Sequence, residues 1–574
     1  MKCTIRSSHV VANAALPVLM LACLAGCRGV GPEASAAADS VYRNGKIVTV
    51  DAKFSLAQAV AVRSGRFIAV GTNSEVDRFI GANTQVVDLR GRTVVPGLSD
   101  AHMHNEGGGP NLDLSAVRNV DELLAKVAGA ARAAKTGDIV VSNSDWHEAQ
   151  LAEQRLPVAT ELEKAAPGVP VVLVRGGHDY ILNTTALLKW GIAKNTPVPP
   201  GGAITKDQQG ELTGELVDTA KSFVTLPPAP PVTAADFLKT QQTLNALGIV
   251  NVRVPGAYRA DMFRDYGLLK QLRDAKQLTL RYSVLLPAMG PVDPDAFEKK
   301  VVAAGIVPNE GDAYLRVWGV KTLVDGGFEG GHMSRPYQEP YGKGGTYDGL
   351  TVIQPDKFNA LVSRIQKMGF RVASHAVGDA AVDQVLDAYE RANAEKNMTT
   401  SGWVIEHAFV TRPDQYPRMK RLGLMLSVQD HLYLAAPTLK NYWGIDRASQ
   451  VTPVKTYLDQ GFLLAGGTDS PVVPVNPFWS IYHFLTRDTI SAGVYGANQS
   501  VADRGQVLAM YTINYAKLIG EQADKGSIEK GKLADFVVLS KDYLTVPVKE
   551  VEGLKAVATF VEGKRVYRDP AAGF

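Results

Sequence analysis

Residues 371–407 read RVASHAVGDAAVDQVLDAYERANAEKNMTTSGWVIEH, and they decide the fold. The apolar run at 371–374 predicts a strand. Val382, Val385, Leu386 and Tyr389 then recur at helical spacing behind Asp379, which reads as the helix cap, and a second apolar run at 403–405 predicts the next strand. Strand, helix and strand within about 30 residues make a βα unit, whose crossover helix brings the chain back to a parallel neighbour.

The same alternation extends in both directions. Runs at 93–96, 249–252, 282–286, 317–323, 424–428 and 462–465 bring the strand candidates to eight, and Phe358, Leu361, Val362, Ile365 and Met368 mark another amphipathic helix. Eight strands with intervening helices predict an α/β fold, a closed (β/α)8 TIM-type barrel. The gap at about 110–240 is too long for one loop and has apolar runs of its own, such as Val171-Val172-Leu173-Val174, so it reads as an inserted α/β subdomain over the barrel mouth. The proline-rich stretch at 226–231 reads as an extended connector back to the barrel. Both ends of the chain instead carry short alternating runs with hairpin turns at Asn44-Gly45, Ser64-Gly65 and Glu562-Gly563-Lys564.

Composition narrows the class. Of 574 residues 45% are hydrophobic and 21% charged, as in globular proteins; a net charge of +3 without any long basic run argues against a nucleic-acid partner. The N-terminus carries Lys2 and Arg6, then an apolar stretch at 10–24 that is short for a membrane span and fits a secretory signal. Its end, Leu24-Ala25-Gly26-Cys27, resembles a bacterial lipobox, in which the chain is cut before the cysteine and the cysteine is lipidated. Cys3 and Cys23 would leave with the signal, so no disulfide framework remains. Residues 28–40 are small and unpatterned, as in a flexible tether. The expected location is a bacterial envelope, with a lipid anchor as the sole membrane contact. Arg28 stands where inner-membrane retention is associated with an aspartate, which favours the outer membrane facing the periplasm.

In a barrel of this kind the active site lies at the C-terminal strand ends. After the first run comes Pro96-Gly97-Leu98-Ser99-Asp100-Ala101-His102-Met103-His104, where alternation sets His102 and His104 on one side, as metal ligands require. Lys321 is embedded in the fourth run, where a charged amine needs a partner or a modification; a buried ion pair is the simpler reading from the residue alone. Asp325 and Glu329 follow it in what reads as a solvated loop, and His332 sits in the glycine-rich loop at 326–349. His375 ends the fifth run, Glu406-His407 the sixth, and Gly467-Thr468-Asp469-Ser470 the eighth. The spacings are 54 residues from Lys321 to His375, 32 to His407 and 62 to Asp469, which fit one unit plus a loop, one unit and two units. Four histidines, a lysine and an aspartate thus converge on one mouth.

With these residues in view, the sequence resembles the amidohydrolase superfamily, specifically the amidohydrolase 3, YtcJ-like branch that includes N-substituted formamide deformylases. The resemblance spans about residues 41–570. It rests also on Ser144-Asp145-Trp146-His147, Gly177-His178-Asp179, Gly201-Gly202-Ala203-Ile204, Thr213-Gly214-Glu215 and His375-Ala376-Val377-Gly378-Asp379. It implies a small β-sandwich built from both termini, and hence a division into a signal at 1–26, a tether at 27–40, sandwich parts at 41–95 and 521–574, and a barrel at 96–520 holding the insert.

The resemblance also implies a divalent metal site, with Zn²⁺ suited to the ligands, of one or two ions. His102 and His104 with Asp469 would hold the first, His375 and His407 the second, and a carboxylated Lys321 would bridge them; Asp469 would be the catalytic acid and base. Trp146, His147, His178, Arg253, Gln429 and Tyr433, chosen by branch likeness and strand-end position, and His332 in its loop, are expected to contact a small-molecule substrate. Arg253 departs from relatives that often place an aspartate shortly after the second strand. The implied reaction is hydrolysis of an amide, N-formyl or cyclic-amide C–N bond. Ester or carbamate hydrolysis or deamination on the same scaffold, and a catalytically silent binding lipoprotein, are the alternatives; a homo-oligomer is compatible with the sequence.

Overall fold

Runs rich in valine, isoleucine and leucine form the strands of four sheets in the computed structural model, which describes residues 37–228, 230–256 and 262–573. Cys27 and the lipobox lie outside the described residues. Among the described residues no helix is long and apolar enough to cross a membrane.

The central sheet has eight parallel strands in chain order: β1 Leu98–Asp100, β2 Ile249–Pro255, β3 Arg281–Met289, β4 Leu315–Leu323, β5 Arg371–Ala376, β6 Val404–His407, β7 Met425–Gln429 and β8 Leu464–Gly467. Hydrogen-bonded ladders join each strand to the next from β1 to β8. Between β8 and β1 a full ladder gives way to isolated backbone bonds, among them Ala101 N to Gly466 O at 2.9 Å, Asp469 N to His102 O at 2.7 Å and His104 N to Ser470 O at 2.9 Å. The Asp100 carboxylate spans this seam, accepting from Thr468 Oγ1 at 2.7 Å and from the His102 amide at 3.0 Å. The result is a nearly closed TIM-type barrel.

The expected first barrel strand is corrected. Residues 93–96 pair with Phe536–Leu539 and Lys46–Val48 in a terminal sheet, and the barrel begins beyond Gly97. There the backbone passes between the two sheets so closely that a Cβ on Gly97 would lie 2.3 Å from Val250 Cγ2. Two apolar runs separated by one glycine cannot be told apart by periodicity.

Helices Pro355–Lys367 and Asp379–Glu395 bury the apolar positions read from their periodicity, save Met368, which caps the first helix and is half-buried. The expected cap shifts by one residue: Gly378 is the N-cap, and the Asp379 carboxylate accepts instead from Ser334 N, Ser334 Oγ and Arg412. The terminal segments form a four-stranded and a six-stranded sheet whose facing side chains, among them Tyr42, Val60, Phe67, Phe536 and Phe560, make one core. That is a β-sandwich. Arg281 at the start of β3 ties the barrel to it through a bidentate pair with Asp535, 2.7 and 2.9 Å.

Between β1 and β2 the chain builds a five-stranded sheet whose order is Gly202–Lys206, Leu212–Asp218, Asp179–Leu182, Val171–Arg175 and Val140–Val141. Helices pack on both faces, because Val171 and Leu173 turn to one side and Val172 to the other. Its Val171–Arg175 and Asp179–Leu182 hairpin ends in Gly176-Gly177-His178, which reaches the barrel mouth: Gly176 and His178 help line the cavity over the β-strand ends.

Candidate active site

His102 follows β1 and is fully buried. Its Nδ1 lies 2.7 Å from Glu406 Oε2, so the ring donates there and its Nε2 carries the lone pair. Glu406, on β6, also accepts from Arg253 Nη1 at 2.5 Å. Burial alone would raise the Glu406 carboxyl, but the Arg253 guanidinium and His102 outweigh it and hold it well below the usual range. His407 is oriented in the same manner: Nδ1 donates to Gln429 Oε1 at 2.6 Å, while Gln429 Nε2 donates to Ser427 Oγ at 3.0 Å. His375 donates from Nε2 to Gly326 O at 3.1 Å, which leaves its lone pair on Nδ1. Burial lowers all three imidazoles below their ordinary values, so they are neutral donors of electron pairs.

These rings cluster. Centroids of His102 and His407 are 4.7 Å apart, and those of His375 and His407 4.6 Å. Asp469, after β8, belongs to two sets of ligand atoms that each fall within 4.8 Å, one with His102 and His104 and one with His407 and His431. Among the described residues its Oδ1 is buried without a hydrogen-bond partner, although Nε2 of His102 and Nε2 of His104 both lie 3.3 Å away. Since the His102 proton is committed to Glu406, a lone pair faces a carboxylate oxygen there. A cation between them is what removes the conflict, so the residues fit a metal.

Lys321 Nζ, on β4, is 3.4 Å from His102 Nε2, and burial pulls its amine down to about 8. Its hydrogen-bond neighbour here is thus an imidazole and not the carboxylate of an ion pair. The small cavity above these groups holds about 30 Å³ and is lined by His375, His407, His431, Asp469, His178 and Glu329 among others. That is room enough for water.

Of the substrate contacts expected from sequence, His147 and His178 line this cavity. The others do not line it. Arg253 is fully buried beneath it, paired with Glu406 and stacked 4.2 Å from the Trp318 ring, so its charge is spent on the scaffold. Gln429 orients His407. Trp146 is held in the insert by Nε1 donating to Val174 O and borders a separate chamber of about 520 Å³ with Pro471, Val472 and Trp479. The Tyr433 hydroxyl donates to Glu552, and His332, fixed through its amide to Asp325, is not among the cavity-lining residues. Asp325 and Glu329 are buried, not solvated. Asp325 accepts from the amides of His332, Val377 and Gly378, although burial still pushes its carboxyl up to about 7.

Sequence reasoning missed His431, whose Nε2 is 3.0 Å from Asp469 Oδ2. It stands two residues beyond the end of β7, and strand-end position was its only signal. The role of Glu406 was missed too, although the residue was noticed beside His407.

Comparison with known proteins agrees with this geometry. Residues 85–567 match the amidohydrolase family. The chain belongs to that family. This amidohydrolase is therefore an enzyme, a metal-dependent hydrolase of the class acting on carbon–nitrogen bonds, with a small molecule as its substrate. It is 30% identical to protein LONG AFTER FAR-RED 3 of Arabidopsis thaliana over 97% of its own length and 96% of the relative's. It is 28% identical to the N-substituted formamide deformylase of Arthrobacter pascens, over 92% and 97%. An uncharacterized metal-dependent hydrolase from Pyrococcus horikoshii shares its fold, with a TM-score of 0.65 at 23% identity over 89% of this amidohydrolase and 99% of that chain.

Proposed function

We propose that this amidohydrolase cuts the C–N bond of a small amide, N-formyl or cyclic-amide substrate with water. The observation that carries the reading is the unpartnered Asp469 Oδ1 facing the imidazoles of His102 and His104. These three residues would hold a first divalent ion and His375 and His407 a second, with Lys321 as a carboxylated bridge; the imidazole and carboxylate donors suit Zn²⁺. When bound, the metal polarises the substrate carbonyl and lowers the pKa of a water molecule.

The chain's own groups do the rest. Asp469 takes the water proton at Oδ2, the oxygen on the His431 side, and returns it to the leaving nitrogen. His431 Nε2 orients that carboxylate from 3.0 Å. Glu406 and Gln429 lock His102 and His407 in the tautomers that expose a lone pair. The likeness to a formamide deformylase supports the N-formyl option. The Leu24–Cys27 stretch supports an enzyme tethered by lipid to the bacterial envelope, facing the periplasm, with the barrel beyond Gly97 as its catalytic body.

The test is metal content per chain together with a panel of N-formyl, N-acyl, ester and carbamate substrates before and after chelation. Turnover of an amide that is lost on chelation and restored by Zn²⁺ is the expected result. Turnover that survives complete metal removal would sink the reading, and cleavage confined to esters would move the enzyme to another bond.

A further inference from the structure

The mechanism leaves unused a second group of charges beside the reacting centre. Arg175, fully buried, is met by Glu148 at 2.6 Å, Asp179 at 2.7 Å and Glu329 at 3.1 Å. Glu215 and Asp218, on the adjacent Leu212–Asp218 strand, bring the carboxylates to five; closest against them stand this guanidinium and His178, which donates from Nδ1 to Asp218 at 2.5 Å, while Lys343, whose charge acts on Glu215, lines the neighbouring chamber with Lys206 and with Arg155, itself paired to Glu161. The imbalance shows in individual atoms. Glu215 Oε1 and Glu329 Oε1 are buried with no hydrogen-bond partner among the described residues, and Glu329 as a residue is only 6% exposed.

These two orphan oxygens belong to residues that line a chamber of about 780 Å³, large enough for an organic substituent. Glu329 is also part of the wall of the 30 Å³ cavity that contains Asp469, so it stands between the two spaces. Around Glu215 and Glu329 the chamber presents Tyr337, Tyr341, Tyr347 and Tyr442. At its exposed mouth Lys343 already places an ammonium 4.4 Å from the centre of the Tyr347 ring, a contact between an amine and this wall made by the chain itself. The glycine-rich loop is built to come close: a Cβ on Gly327 would lie 2.7 Å from Glu329 Oε1 and 2.9 Å from the His178 ring.

We propose that Glu215 and Glu329, backed by Asp179 and Asp218, form a subsite for an ammonium group of the substrate, so that the enzyme acts on amides carrying an amine on the side of the molecule that enters this chamber. The substrate class rests on the reading that the bond is cut at Asp469; the existence of the subsite does not. Burial and the Glu329 charge push the Asp179 and Glu215 carboxyls upward, a direction that a bound ammonium would oppose.

The experiment uses the full chain in metal-loaded and metal-stripped form. Two probes of equal length are compared, N-formyl-1,5-diaminopentane and its neutral counterpart N-formylhexylamine, and 1,5-diaminopentane is titrated calorimetrically. The expected result is a kcat/KM preference of about tenfold or more for the charged probe, which falls toward one in Glu215→Gln and Glu329→Gln, and diamine binding weakened by a similar factor in both variants, with or without metal. Glu329→Gln loses a contact to Arg175, so Glu215→Gln carries the test if that variant does not fold. If neither probe is cleaved, the N-formyl reading fails while the calorimetry still decides the subsite. Equal cleavage of both probes, diamine binding unchanged by either substitution, or the loss of one metal equivalent from the variants would overturn the proposal.

Discussion

At the residue scale the Glu406 carboxylate is the hinge of the site, because it answers both a histidine and a buried guanidinium. Glu406→Gln would leave Arg253 uncompensated in the interior and would leave one amide oxygen where two carboxylate oxygens now serve Arg253 and the His102 tautomer. We expect a loss of about 3–5 kcal/mol in stability and about 10- to 100-fold in metal affinity, read by thermal unfolding and by metal content after dialysis. Asp469→Asn should retain the fold and lower kcat by at least about 100-fold; near wild-type turnover would refute the proton-transfer role. His102, His104, His375, His407 and Asp469 were legible because each follows an apolar run at βα spacing, where only the mouth of a barrel can receive it. His431 was not, since it opens a helix whose next turns are apolar and its nearness to Asp469 is set by the register of β7 against β8. Arg253 misled for the opposite reason: strand-end position was read as access to substrate, while the carboxylate that captures it lies 153 residues away in sequence.

At the element scale the seam between β8 and β1 carries the constraint. A Cβ on Gly467 would lie 2.6 Å from the His102 amide and 2.8 Å from Asp100 Oδ1, both of which are held by the backbone and leave no room to yield. Gly467→Ala should therefore cost about 1–3 kcal/mol and weaken metal binding as well, since the strand ends bearing His102 and Asp469 must part. Unfolding curves and metal titration of the variant check both effects; wild-type metal affinity would show that the seam is more compliant than this packing implies. Hydrophobic periodicity revealed the strands and helices, because amphipathic faces leave a mark in the order of residues. It could not assign 93–96 to its sheet, since which neighbour a short apolar strand pairs with is a property of the assembled sheets.

For the whole molecule, the Arg281–Asp535 pair joins barrel and sandwich. Burial acts to raise the Asp535 carboxyl, but Arg281 prevails and holds it below the usual range. A carboxyl whose native pKa is depressed contributes stability above the unfolded value of about 4, and that contribution disappears as the pH falls further toward the native pKa. The gap in Tm between wild type and Asp535→Asn should accordingly be wide at pH 7 and should close below about pH 4. A gap that widens on acidification would contradict the assignment. Chelation should also lower Tm in proportion to the logarithm of free metal, because the ion binds the folded chain alone.

The near-closure of the barrel has one more consequence. His102 stands at the beginning of the barrel's chain order and Asp469 at its end, and backbone bonds across the seam bring them together. No partial product of synthesis that lacks the eighth strand can own the site. On the proposed reading, the ion held by His102, His104 and Asp469 is thus a certificate of completed assembly, issued only once the last strand has docked against the first, and a chain that ends before Asp469 lacks that ligand.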